Sequence, residues 1–138
     1  MVQTFDGTDY SWLAVDGQGY VGWFTLNSSG PVPNALAFDA DRLIQHEARL
    51  GDWIRSTGRE FEMGKGDSMW RDAAATGVFA FDFDDAKQRY RVVAAPRSPV
   101  LLEATPRPVR ELLVVRLPTA DFETGIVAPA GVAAAEPL

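Results

Sequence analysis

The chain has 138 residues, 46% of them hydrophobic and 23% charged, a balance that suits one domain with one core of ordinary size. Its net charge of −6 speaks against a nucleic-acid binder, which needs a basic stripe to hold phosphates. Cysteine is absent, which excludes disulfides, thiolate nucleophiles and cysteine-based zinc sites.

The opening Met-Val-Gln-Thr-Phe-Asp lacks a charged segment followed by an apolar one, so no secretory signal is expected. No run approaches the roughly 20 apolar residues of a membrane helix. A cytoplasmic protein is the expectation. Residues 1–11 are polar and turn-rich and predict a loosely held start.

From Trp12 to Thr25 two β-prone runs flank Asp16-Gly17-Gln18-Gly19. That pattern predicts a hairpin: Gly17 and Gly19 tolerate positive φ, and the Asp16 side chain can bond the turn backbone. Residues 26–33 read as a loop broken by Gly30-Pro31 and Pro33. Then Leu36, Ala40, Leu43, Ile44, Leu50 and Ile54 recur at helical spacing. Asp39 and Asp41 suit an N-cap and a first-turn acid, for a helix from Ala40 to Leu50 with Gly51 beyond its end. The alternative is a helix that continues through Gly51 at about 1 kcal/mol.

Residues 58–66 read as a loop, and Asp67 or Ser68 caps a short helix from Met69 to Thr76, ended by Gly77. Val78 to Asp84 alternates, with Phe79, Phe81 and Phe83 on one face and Val78, Ala80, Asp82 and Asp84 on the other. Asp84 to Lys87 is the turn, and Tyr90 to Ala95 the returning strand. Pro96, Pro99, Pro106 and Pro108 punctuate the next segment, with Val100 to Ala104 a short edge strand at best. Leu112 to Leu117 predicts a strand, and Asp121 to Ile126 a short strand or irregular return. One domain, residues 1–126, is expected, with an Ala/Pro-rich flexible tail at 127–138.

No catalytic constellation emerges. His46 is the one histidine, placed near the polar boundary of its helix with no nucleophile or orienting acid around it. Asp82, Asp84 and Asp85 resemble a hard-cation site, but a solvated strand face entering an acidic turn explains them as well. Asp16 to Gly19 fails as a calcium loop, because Asn27 stands where the bidentate glutamate belongs. Gly64-Lys65-Gly66 fails as a phosphate loop, because no Ser or Thr follows the lysine. No metal or cofactor is expected. Four tryptophans, Trp12, Trp23, Trp53 and Trp70, are core candidates, and an exposed one would mark a binding patch.

The run Trp12-Leu-Ala-Val-Asp16, the Gly17-to-Phe24 turn and strand, and Gly30-Pro31-Val32-Pro33 carry a likeness. Trp70 to Asp82, with Ala74, Gly77, Phe79 and Phe81, and Tyr90 to Pro96 add to it. Together they resemble small bacterial immunity-type proteins encoded beside secreted polymorphic toxins. These are fold markers, so the resemblance transfers no functional residue.

The sequence thus predicts an α+β fold: an antiparallel sheet of two hairpins plus a C-terminal strand, with two or three short helices on one face. The expected function is a cytoplasmic, non-enzymatic immunity protein that neutralises a basic toxin domain through acidic side chains. The candidates are Asp82, Asp84 and Asp85 at the second hairpin and Asp39, Asp41 and Glu47 on the first long helix. Complementary charge would speed that association. The alternative is a small enzyme or ligand-binding domain with a cleft between sheet and helices.

Overall fold

The computed structural model describes residues 10–26, 30–37, 39–64 and 66–138. The start before Tyr10, part of the 26–33 loop, and Lys65 lie outside the described residues. Two antiparallel hairpins make the centre of the sheet. Strands β1 (Tyr10–Asp16) and β2 (Val21–Leu26) form the first, and β3 (Phe79–Asp84) and β4 (Arg89–Ala94) the second. Three short strands complete it: β5 (Val115–Leu117), β6 (Ile126–Val127) and β7 (Glu136–Pro137). The order is β6-β4-β3-β2-β1-β5-β7.

The fold is α+β, as expected, but the sheet is mixed. The hairpins meet through parallel pairing of β2 with β3, and β1 pairs β5 in parallel. The intervening helices supply the crossover that parallel neighbours require. These are α1 (Asn34–Ala37), α2 (Ala40–Ser56) and α3 (Asp67–Thr76), followed later by α4 (Arg107–Arg110) and α5 (Pro129–Ala133).

Chain length forces the sheet to curl. A flat sheet would put β6 and β7 six strand spacings apart, about 29 Å. The link from Val127 to Glu136, with α5 in it, reaches about 24 Å at most. The edges are therefore drawn together and one face becomes an enclosed core. Residues 127–138, expected as a flexible tail, carry α5 and β7, and Val127 and Val132 are buried in that core.

Inside, Trp12, Phe24 and Phe81 stack across three neighbouring strands. Their centroids are 4.1 and 4.8 Å apart with planes within 9°. Tyr90 meets this stack edge-on, accepts the Trp12 indole N–H at 3.2 Å, and donates to the Pro31 carbonyl at 2.8 Å. Such geometry lets aromatic pairs contribute beyond area burial. The outer face packs Leu13, Trp23 and Ala80 against Leu50 and Ile54 of α2 and Met69 and Ala73 of α3. Helices thus cover both faces rather than one: α1 and α5 send Leu36 and Val132 inward.

Local signals explain the element ends. The Asp39 carboxylate caps α2 by accepting the Arg42 N–H. The helix runs through Gly51, whose missing side chain leaves room for Phe61; a Cβ there would lie 3.2 Å from the Phe61 ring. Gly66 stands at the N-cap of α3, ahead of the expected Asp67 or Ser68. In the first hairpin Gly19 takes φ +92, but Gly17 serves another purpose: a Cβ there would meet the Pro118 carbonyl oxygen at 2.8 Å. Asp16 is buried and fully engaged. One carboxylate oxygen accepts Gln18 and Tyr20 N–H, and the other accepts Phe122 N–H at 2.9 Å. Residues 102–104 form a 3-10 turn rather than an edge strand. Among the described residues no helix is long and apolar enough to cross a membrane.

Candidate functional site

A polar row crosses the outer face at one end of the sheet. Register aligns Ser11 with Thr25, Thr25 with Asp82, and Asp82 with Arg91 across four strands. Ser11 Oγ donates to Glu47 of α2 at 2.8 Å, which extends the row onto the helix. The Thr25 hydroxyl lies 3.0 Å from the Phe81 carbonyl and 2.9 Å from Asp82 Oδ1, and one hydrogen serves one of them at a time. It also accepts the Trp70 indole N–H at 3.2 Å. Helix α3 thereby closes over the row from above.

Electrostatics differ along this row. Burial pushes the Asp82 carboxyl up, while the Thr25 hydroxyl, the Phe83 backbone and Arg91 oppose the shift and Asp85 adds to it. Asp84 caps the hairpin turn by accepting the N–H groups of Ala86 and Lys87, and lies 4.0 Å from Arg91. Asp85 stands exposed in the turn. On α2, Asp39 is spent on the cap and an ion pair with Arg42, Asp41 is exposed, and Glu47 accepts from Ser11. Of the six candidate acids, Asp41 and Asp85 have no side-chain hydrogen bond or ion pair among the described residues.

His46 departs from its expected place. It is 0% exposed, and its Nδ1 accepts the Leu13 backbone N–H at 3.0 Å. The reason is topological. Strand β5 covers β1 only at Val15 and Asp16, so the earlier outer edge of β1 needs another acceptor. Helix α2 supplies it. Burial first and Arg42 second lower the imidazole to about 4, with Asp39 and the nearby Leu112 backbone opposing. Nε2 has no hydrogen-bond partner among the described residues.

Among the described residues no group of three or more His, Asp or Glu side chains can hold a metal ion. Trp53, only half-buried, lines a separate concavity of about 310 Å³ with Pro106, Pro108 and Val109. The sequence does not single out Ser11, Thr25 and Arg91, because strand register alone places them beside the acids, and it marks Trp70 only as a core candidate. No family model matches the chain, and no curated protein or solved structure matches it.

Proposed function

We propose that this chain is a non-enzymatic immunity-type binding protein that occludes a basic toxin domain with the acidic end of its sheet. One observation carries the reading. The register that links Glu47 through Ser11 and Thr25 to Asp82 brings one acid of α2 and one of the second hairpin into the same row at one end of the sheet. The commitment of buried polar groups to folding supports it too: His46 serves Leu13, Asp16 serves three backbone N–H groups, and Tyr90 serves Pro31. The protein acts in the cytoplasm of the cell it protects.

The test begins with capture from the native cell, using the chain as bait, and identification of what co-purifies. Association rates of that partner are then compared for wild type and the double variant Asp41→Asn, Asp85→Asn at low and high ionic strength. The expected result is slower association in the variant and a flatter salt dependence, since screening acts on exposed charges. Binding that neither the substitutions nor salt slow would overturn the acidic-end mechanism. Consumption of a small molecule with no protein partner would favour the enzyme alternative.

A further inference from the structure

We propose that the groove between α3 and β4 binds an extended acidic segment of a protein partner, laid along the open edge of β4. This stands apart from the acidic end described above. The groove encloses about 900 Å³. Arg59, Arg71 and Arg97 border it, and Ala74, Ala75, Val93 and Ala94 give it a low apolar floor. In a chain of net charge −6 this is a basic concavity. Its acid, Asp72, is already paired with Arg59 at 3.1 Å. Arg71 and Arg97 are exposed and have no ion pair or hydrogen bond among the described residues. They come from the two elements that border the groove, α3 and the segment after β4.

The backbone supplies a second, independent observation. Strand β6 pairs with β4 only at Tyr90 and Arg91, and the Val92 N–H goes to the Gly125 carbonyl at 2.8 Å. Beyond that point Val93 and Ala94 have no strand on their outer side among the described residues. These same residues line the groove. An unpaired strand edge is a template for an added strand, with main-chain bonds giving affinity and alternate side chains giving specificity. Carboxylates on alternate residues of such a strand would face Arg71 and Arg97, whose planar forks suit carboxylates. Pro96 ends the edge early, so the segment it takes is short.

The test uses labelled synthetic peptides on the full chain at low ionic strength. One alternates Glu and Val, a second alternates Lys and Val, and a third is the Glu–Val peptide with alternate amides N-methylated. Pyrophosphate and an oligothymidylate serve as competitors. The Glu–Val peptide should bind saturably and shift the backbone amide resonances of Val93 to Ala95. Its affinity should fall about tenfold or more in the double variant Arg71→Glu, Arg97→Glu. N-methylation should weaken it as well. Absence of saturable binding, equal binding of the Lys–Val peptide to wild type, or an unchanged affinity in a folded double variant would each overturn the proposal. So would displacement by oligothymidylate or pyrophosphate at lower concentration than by the peptide itself, which would mark a phosphate site. Should the double variant fail to fold, the two peptides on wild type decide.

Discussion

On the inner face of the sheet, Trp12, Phe24 and Phe81 stand in one cross-strand row; on the outer face, their chain neighbours Ser11, Thr25 and Asp82 stand in the next. The same three strands therefore carry an aromatic stack and a polar row, one residue out of step. Period-two alternation separates them. The inner row is closed by chain reach, because α5 and β7 pull the sheet edges together, and its rings pack on one another and on Tyr90 and Phe122. The outer row runs from Glu47 to the exposed Arg91 and is held by side-chain hydrogen bonds. Stability should thus reside in the first row and adjustable electrostatics in the second.

The sharpest way to break this contrast is Phe81→Ala. The ring is fully buried, stacks on Phe24 and meets Phe122. Removal should cost about 3–5 kcal/mol, read from denaturant melts. A cost under about 1 kcal/mol would mean that the inner row does not hold the fold.

His46 gives the next largest effect and links the two regions, since it holds an edge of β1. Its folded value is about 4 against 6.5 for the free side chain. As pH falls, the unfolded chain takes up this proton first. The stability it confers is therefore complete above about pH 6.5, is lost between about 6.5 and 4, and changes no further below. The span amounts to about 3 kcal/mol as an upper bound. His46→Gln keeps an acceptor for the Leu13 N–H and removes the titration. Stability measured across this window should lose its slope in the variant; a slope that persists unchanged would place the titration elsewhere.

The hairpins, the long helix and the aromatic face were legible because each rests on local signals: turn glycines, helical spacing, an alternating strand. What stayed hidden is non-local. Nothing near His46 announces that β5 stops short and leaves the Leu13 N–H for the helix to satisfy. The alanines and prolines after Val127 look featureless until they are seen to bridge the two outermost strands. Likewise Asp82 and Asp84 read as free surface acids, but Thr25 reaches Asp82 from a strand distant in sequence, and Arg91 reaches Asp84 through the register of their own hairpin.

Thr25→Val tests the polar row itself and should have the smallest effect of the three. The substitution keeps shape, yet leaves the Trp70 indole N–H without its acceptor and Asp82 without its hydroxyl donor. A half-buried row that loses such a bond should cost about 1–2 kcal/mol near pH 7. Its pH dependence carries the information. Asp82 is raised above 3.8 by burial, and the Thr25 hydroxyl holds that rise in check. A carboxyl raised in the folded state favours folding when protonated, so its contribution falls as pH rises through the folded value, opposite in sign to His46. Removing Thr25 raises Asp82 further and deepens that fall. The variant's cost, measured against wild type at both ends of the range, should therefore shrink on acidification, as Asp82 takes up its proton, leaving the loss at Trp70. A cost that stays constant or grows on acidification would show that Thr25 does not govern Asp82, and that the outer row is held by packing like the inner one.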